Sequence, residues 1–319
     1  MKSKCHIRLD LFYNKLYMNK RTIKKNTPRY KKRKQNRSKR KIYGSGRDQI
    51  SIPTIDVESI GECSKENTHI IWIDGLGCTS RTPTEKEEWK KHFNVHGYDH
   101  KCHRMDKAIT SILTTSIGAT PLHDKFLYDL INEVLTLALN QYVFLFGHSF
   151  GGLIANRVGE ELLLLYEHEK NEENKKKLEQ LFKRINIGTF GSIYIPRIVR
   201  ESKLLKIMSY VAIGDVSNTT TWGIKHKQIT KQASLDLKYT RYYQSETGLE
   251  FYYKKRANEN VYDICSVING EPTCLNSLNN YPIARAGVEW TIHNESYFDI
   301  IILLIKHRTI DIKEIPSDE

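Results

Sequence analysis

The chain has 319 residues and a formal net charge of +13, and this length suits one large α/β domain with a tail. Residues 1–47 hold 18 lysines and arginines against one acid, Asp10, whereas the rest of the chain is slightly acidic. The sequence shows no secretory signal and no apolar run of the ~20 residues that span a bilayer, which argues against a transmembrane segment and favours an intracellular protein, cytoplasmic or nuclear.

The basic N-terminal arm, residues 1–47, is predicted to be disordered, with the folded domain at 48–319. Residues 20–47 are rich in lysine and arginine and nearly lack aliphatic side chains, so like charges repel and little apolar surface is available to bury. Such an arm is expected to bind nucleic acid, an anionic membrane surface or another polyanion, or to act as a nuclear import signal. A tail that only improves solubility is the alternative.

Two strands and a helix are predicted at the start of the folded domain. Ile52–Val57 has the pattern of an edge strand, where its proline is tolerated. Thr68–Ile73 is an apolar run that ends in Asp74-Gly75-Leu76, which predicts a buried strand and a turn. Thr82–Lys91 follows as a helix with a capping threonine and a proline at its first position.

A cluster of histidines and cysteines follows this predicted helix. Histidines four residues apart share one helix face, and imidazole and thiolate groups are zinc ligands. Gly97 breaks the helix, however, and the spacing matches no known zinc motif. We therefore predict a polar loop here, with a metal site as the alternative. The cluster comprises His92, His96, His100, Cys102 and His103.

The most informative stretch is a glycine-rich turn near the middle of the chain. An amphipathic helix over Phe126–Ala138 leads into an apolar strand at Gln141–Phe146, and another helical pattern follows the turn. The turn itself is Gly147-His148-Ser149-Phe150-Gly151. A serine in a Gly-x-Ser-x-Gly turn from strand to helix is strained so that its hydroxyl is exposed, and the glycines let the strand and helix approach. The pattern predicts Ser149 as a nucleophile.

Two polar residues follow predicted strands downstream of this turn. Ile207–Ile213 is an apolar strand that leads to Asp215, and Val288–Ile292 is the last predicted strand, directly before His293. A carboxylate and an imidazole are the groups that orient and transfer a proton in serine chemistry. The other elements predicted in this half are a strand at 184–192, a hairpin at 239–255 and a helix or strand at 298–305.

The six cysteines form no CxxC pair and no dense framework, which is typical of a reduced intracellular protein. Cys265 and Cys274 flank an Asn269-Gly270 turn and would lie near each other across a hairpin. Because the expected compartment is reducing, we predict free thiols, with a disulfide between these two as the alternative.

The turn at Gly147–Gly151, with its strand, its helix and the extra Gly152, resembles the nucleophile elbow of serine esterases and lipases in the α/β-hydrolase superfamily. This resemblance implies a mostly parallel central sheet flanked by helices. It also implies a catalytic triad in the chain order nucleophile, acid, base, which here is Ser149, Asp215 and His293. The other site residues that it implies are the elbow glycines Gly147 and Gly151 and the oxyanion-hole donors Leu76 and Phe150.

Within the superfamily, four stretches are similar to lipases of the fungal type, class 3. The prolines of that group after Gly191 and after Asp215 are missing here, and Asp74 stands where the oxyanion loop usually has a histidine. In this family the segment between the oxyanion loop and the nucleophile can carry a lid, which corresponds to residues 79–123. The similar stretches are Gly147–Gly152, Thr189–Ser192, Gly214–Val216 and His293–Tyr297.

Several residues compete for the acid and base roles. His307 also lies late in the chain, at the end of an apolar segment, and His226 follows the Asp215 loop. His148 is fixed beside the serine and is expected to be a packing or pocket residue. Asp263 is the alternative acid. The histidine that directly follows the last predicted strand is favoured over the other bases.

The resemblance implies hydrolysis of a carboxylic ester, with a small-molecule acyl or lipid ester as substrate, through an acyl-serine intermediate. Neither a metal nor an organic cofactor is expected. One alternative is a catalytically inactive binding protein of the same fold whose basic arm holds nucleic acid or another polyanion. The other is an acyltransferase or thioesterase with the same triad.

Overall fold

In the computed structural model, the described part of the chain begins at residue 50 and has several gaps. The basic arm, the boundary at 47/48, the predicted helix at 82–91 and the predicted strand at 288–292 lie outside it, as do Leu76, His226 and Cys274. The described ranges are 50–73, 75, 99–103, 121–192, 194–213, 215, 240–245, 248–268, 271–272, 293 and 297–317.

Strands and helices alternate through the first part of the described chain, as in α/β proteins. The strands are β1 (Thr68–Ile73), β2 (Asp99–His103), β3 (Tyr142–His148), β4 (Ile185–Phe190), β5 (Lys206–Ala212), β6 (Thr240–Gln244), β7 (Leu249–Lys255), β8 (Val261–Ile268) and β9 (Glu271–Pro272). The helices are α1 (Pro121–Leu137), α2 (Phe150–His168), α3 (Glu172–Phe182), α4 (Arg197–Arg200) and α5 (Phe298–Lys306), and a 3-10 turn spans Ile312–Glu314.

The strands form one mixed sheet in the order β2-β1-β3-β4-β5-β8-β7-β6, and β9 pairs with β8. The pairs from β2 to β8 along this order are parallel. The pairs that involve β6, β7 and β9 are antiparallel. The predicted α/β class, a largely parallel sheet flanked by helices, is therefore confirmed.

The two faces of the sheet carry separate apolar cores. Along β1, Ile71 and Ile73 pack with residues of α1, α2, α3 and α4 in one core. Ile70 and Trp72 belong to the other core, which α5 covers. A strand that is covered on both faces has a continuous apolar run instead of an alternating pattern. For this reason the sequence identified β1, β3 and β5 directly.

Three further elements agree with the sequence pattern. The predicted hairpin at 239–255 is the β6–β7 pair. The segment at 298–305, for which helix and strand were both open, is α5. The hairpin predicted around Asn269-Gly270 is the β8–β9 pair.

The edge strand predicted at Ile52–Val57 is wrong, because this segment has no regular secondary structure. Two of its carbonyl oxygens are bound by a side chain. Lys177 Nζ donates to the carbonyl oxygens of Pro53 at 3.3 Å and Thr54 at 3.1 Å. These contacts come from a lysine more than a hundred residues away, and no local pattern reveals them.

The segment at 79–123 contains β2, so the polar loop predicted for His100, Cys102 and His103 is wrong at these positions. β2 pairs in parallel with β1 along its whole length and forms an edge of the sheet. Its sequence, Asp-His-Lys-Cys-His, has no apolar alternation. Backbone pairing with a buried neighbour makes it a strand, and that pairing is not encoded locally.

Cys265, buried in β8, is disulfide-bonded. This contradicts the free thiol expected at this position. Its partner lies outside the residues whose side chains the structure describes, because Cys63 is free. A disulfide stabilises a fold mainly by reducing the conformational freedom of the unfolded chain.

The side chain of Arg184 connects the residues after α1 with the segment that precedes β1. Its Nη1 donates to the carbonyl oxygens of Ala138 at 3.1 Å and Leu139 at 2.7 Å, and its Nη2 donates to that of Glu58.

Replacing Arg184 with methionine keeps an aliphatic side chain but removes every hydrogen-bond donor. We expect Arg184→Met to lower the free energy of unfolding by about 1–3 kcal/mol in a urea titration, since hydrogen bonds from a charged donor are lost.

The matched control is Arg197→Met. Arg197 pairs with Glu201 on an exposed helix surface, and such a pair contributes little, about 0–1 kcal/mol. Equal losses for the two variants would contradict the role given to Arg184.

Candidate active site

Ser149 occupies the turn between β3 and α2 in an unusual conformation, with φ 56° and ψ −114°. A non-glycine residue in such a region costs about 1–3 kcal/mol and persists only where the surroundings enforce it. Two main-chain hydrogen bonds do so. The N–H of Ser149 donates to the carbonyl of Phe190 at 2.8 Å, and its carbonyl accepts from the N–H of Leu153 at 3.2 Å. A strained, supported serine at this turn is the geometry that exposes a hydroxyl above a sheet.

Gly147 allows β3 and α2 to meet closely behind the serine. A Cβ at this position would lie 2.3 Å from the carbonyl oxygen of Gly151 and 2.5 Å from its carbonyl carbon. Backbone cannot yield at such distances, so any side chain at 147 would force the first turn of α2 away from β3. The two predicted elbow glycines therefore face each other in the turn.

Asp215 and His293 form a buried pair beyond the end of β5. Nδ1 of His293 lies 2.7 Å from Oδ1 of Asp215, and the two residues are 3% and 0% exposed. A carboxylate only accepts hydrogen bonds, so the proton is on Nδ1. In the neutral ring the basic lone pair is then on Nε2, which is the arrangement a general base needs.

Tyr297 holds the other oxygen of the same carboxylate. Its hydroxyl donates to Oδ2 of Asp215 at 2.5 Å and accepts from the N–H of Ala212 at 2.7 Å. Burial, and then the negative charge of Asp215, raises the pKa of Tyr297 well above its ordinary value. The phenol therefore keeps its proton and remains a donor, so both carboxylate oxygens are bound.

Gly191, directly after β4, makes room for this arrangement. Its φ is +56°, and a Cβ there would lie 2.8 Å from Oδ2 of Asp215, 3.0 Å from the Tyr297 ring and 3.1 Å from Cε1 of His293. Both the backbone conformation and the space therefore require glycine. The main chain at Gly191 packs directly against the side chains of Asp215 and His293.

Gly75, two residues beyond β1, lies against the serine. A Cβ at this position would be 2.8 Å from Cβ of Ser149 and 3.2 Å from the carbonyl oxygen of His148. The loop that was predicted to supply an oxyanion donor thus reaches the nucleophile candidate. Leu76, the predicted donor, is outside the described residues, and Phe150, the second predicted donor, is the first residue of α2.

His148 links the serine to the acid–base pair. It ends β3 next to Ser149, and its Nε2 lies 2.8 Å from the main-chain carbonyl oxygen of His293. The two imidazole rings have centroids 4.6 Å apart. The structure thus brings the predicted acid and base into contact, and the residue next to the predicted nucleophile contacts the predicted base.

The site lies at the carboxyl ends of the central strands, because parallel strands end on the same side of the sheet. β1, β3, β4 and β5 are adjacent, and the residues discussed above follow directly after their carboxyl ends. Open α/β sheets bind their ligands on this side. These residues are Gly75 after β1, Ser149 after β3, Gly191 after β4 and Asp215 after β5.

Asp263 and His307, the competing acid and base candidates that the structure describes, make other contacts than the Asp215–His293 pair. Arg256 binds both carboxylate oxygens of Asp263, with Nε at 3.1 Å from each and Nη2 at 2.7 Å from Oδ1. His307 directly follows α5, about 14 Å along the helix from the end that faces Asp215. Asp263 pairs with Val211 near the carboxyl end of β5, but both of its oxygens are bound by Arg256.

Within the described ranges, no three histidine, cysteine, aspartate or glutamate side chains are grouped so that they could hold a metal ion. His92 and His96 of the sequence cluster lie outside these ranges. No helix in the described part of the chain has the length and apolar character needed to cross a membrane.

Comparison of the chain with protein-family models, curated proteins and solved structures found no match in any of the three. A fold by itself does not determine function, because one architecture carries many chemistries. Function must therefore be inferred from the geometry of the site.

Sequence reasoning named the groups that would react but missed the residues that hold them. Tyr297 was recognised only as the end of a similar stretch, although a tyrosine four residues after a candidate base was a usable signal. Gly191 gave a weaker signal, as a glycine directly after a buried strand. The contact of His148 with the main chain at residue 293 joins positions 145 residues apart, and the sequence carries no sign of it.

Gly191→Ala tests whether this glycine makes room for the pair. The new methyl group would collide with Asp215, Tyr297 and His293 in addition to straining the backbone. We expect the free energy of unfolding to fall by about 2–4 kcal/mol, which combines the positive-φ penalty with the cost of overpacking. Thermal or denaturant unfolding measures the loss.

Gly248→Ala is the matched control, because Gly248 has a similar φ of +64° but no atom within 4 Å of its Cβ position. It should lose only the backbone term, about 1 kcal/mol. Losses of the same size at both positions would show that crowding at Gly191 is unimportant.

Proposed function

We propose that the protein is a serine hydrolase of the α/β-hydrolase type that cleaves a carboxylic ester through an acyl-serine intermediate. The observation that supports this most strongly is the buried Asp215–His293 pair, which is joined through His148 to a strained serine between a strand and a helix. A carboxylate, an imidazole with its proton on Nδ1, and a serine hydroxyl are the three groups of the proton-relay chemistry that activates serine.

In the proposed acylation step, Ser149 Oγ attacks the ester carbonyl carbon while Nε2 of His293 accepts the hydroxyl proton. The π electrons of the carbonyl move to its oxygen and give a tetrahedral intermediate. When this collapses, the carbon–oxygen bond to the leaving alkoxide breaks, and the imidazolium returns its proton to that oxygen. Asp215 favours the imidazolium electrostatically and keeps the ring in the required tautomer.

The developing oxyanion needs donors that are already in place. The N–H of Phe150 lies at the positive end of the α2 dipole, beside the serine. The N–H of Leu76 is the proposed second donor, and Gly75 brings its loop against Ser149. Each preorganised donor is typically worth about 3 kcal/mol of transition-state stabilisation.

Deacylation repeats these steps with a new nucleophile. Water, deprotonated by His293, attacks the acyl-serine and releases a carboxylic acid and the serine hydroxyl. An alcohol in place of water would give acyl transfer, so the same site also suits the acyltransferase alternative. The acyl or lipid ester substrate follows from the sequence resemblance, and a series of nitrophenyl esters of increasing acyl length would define it.

A fluorophosphonate probe tests the proposal directly. We expect stoichiometric labelling of the wild-type protein at Ser149, detected by intact mass and peptide mapping, because only an activated serine displaces fluoride from phosphorus at a useful rate. Ser149→Ala should abolish both labelling and ester turnover.

The control variant is Ser51→Ala, which removes an exposed serine far from the elbow in sequence and should be labelled like wild type. A folded wild-type protein whose mass does not change with the probe would overturn the proposal. Labelling that persists in Ser149→Ala would assign the nucleophile to another residue.

A further inference from the structure

His148 is the residue next to the nucleophile to which the mechanism gives no role. It is the last residue of β3, and its main chain is fixed there by pairing with Phe190 of β4. Its side chain is only partly buried, and it points to the segment that carries His293. Because its backbone is fixed in the sheet, the side chain of His148 is suited to fix the position of the segment that carries His293.

The direction of the hydrogen bond between the two histidines is fixed by chemistry. Nε2 of His148 faces the main-chain carbonyl oxygen of His293 at 2.8 Å, and a carbonyl oxygen only accepts. His148 therefore donates from Nε2, in either the neutral or the protonated ring. The same bond also rules out Nε2 of His148 as a proton acceptor while it is formed.

His293 is thus held at two points. Asp215 binds its ring at Nδ1, which fixes the tautomer and one direction of the imidazole. His148 binds its backbone, which fixes where the Cα lies relative to β3 and therefore relative to Ser149. A ring held only at Nδ1 can still pivot about that bond and carry Nε2 away from the serine.

Ring packing reinforces the hydrogen bond between His148 and the main chain of His293. The rings of His148 and His293 have centroids 4.6 Å apart at an angle of 36°, and the Tyr297 ring is 5.9 Å from that of His148. His148 therefore lies against the same aromatic group that orients Asp215. Movement of the base segment would break one hydrogen bond and two ring contacts together.

We propose that His148 is a positioning residue that sets the distance between the base and the nucleophile by donating Nε2–H to the main-chain carbonyl of His293. This rests on the proposed serine hydrolase function. Displacements near 1 Å reduce the rate of such reactions by about 100-fold, so a single backbone hydrogen bond at this place controls turnover without contact with the substrate.

Glutamine and asparagine test the proposal as a matched pair. The glutamine Nε2 lies as many bonds from the main chain as the histidine Nε2, so His148→Gln keeps a donor within reach of the carbonyl. The asparagine Nδ2 is one bond shorter and does not reach it. Both variants lose the imidazole ring and its packing, so the reach of the donor is the main difference between them.

We expect His148→Asn to lower kcat on a nitrophenyl ester by about 10- to 100-fold with little change in KM, because positioning acts on the transition state. His148→Gln should recover most of the wild-type kcat. Unfolding curves should show both variants folded. The proposal is overturned if the two variants have the same kcat, whether both are impaired or both are unaffected.

A second measurement does not depend on turnover. The Nδ1 proton of His293, bound to a buried carboxylate, should give a low-field NMR signal that exchanges slowly with water. It should exchange faster in His148→Asn than in wild type or His148→Gln, and equal exchange in all three would also overturn the proposal. If wild-type protein neither turns over esters nor reacts with the probe, the proposed function fails, and the proton signal still decides whether His148 holds His293.

Discussion

The constraint on which the site depends is a carboxylate that is buried beyond the end of β5 and must be hydrogen-bonded there. Asp215 is fully buried, and removing such a charge from water costs several kcal/mol unless its oxygens are hydrogen-bonded. The imidazole N–H of His293 binds one oxygen and the hydroxyl of Tyr297 binds the other. The two donors come from one short segment that precedes and begins α5, so burial of Asp215 brings the base to the end of β5. Gly191 leaves the space in which the three side chains meet.

The sheet explains why a serine lies beside this pair. β3, β4 and β5 are parallel neighbours, so their carboxyl ends and the residues that follow are a few ångströms apart. The carbonyl of Phe190, the last residue of β4, accepts the N–H of Ser149 and so helps to hold the strained turn. The next residue, Gly191, packs on the acid and the base. Two consecutive residues at the end of β4 thus contact both parts of the site. Phe190 binds the nucleophile candidate, and Gly191 packs against the Asp215–His293 pair.

The sequence predicted the parts of this arrangement that are local. Buried strands such as β1 and β3 have continuous apolar runs, and the elbow has a compact glycine pattern. The features that were missed depend on contacts between distant parts of the chain. Lys177 satisfies the backbone at Pro53 and Thr54 where a strand was predicted, and β2 forms by pairing with β1 despite its polar sequence. The roles of Tyr297 and His148 arise only when α5 docks on the sheet, and the function of the basic arm stays a prediction.

In the proposed mechanism, Nε2 of His293 accepts the hydroxyl proton of Ser149. A crystal structure of the protein after reaction with a phosphonate ester tests it most directly, because the covalent adduct marks the nucleophile and resembles the tetrahedral intermediate. We expect phosphorus bonded to Ser149 Oγ, with Nε2 of His293 about 2.6–3.2 Å from that oxygen, within hydrogen-bond reach. An adduct on another residue, or a His293 ring whose Nε2 is turned away from Ser149 Oγ, would contradict the account.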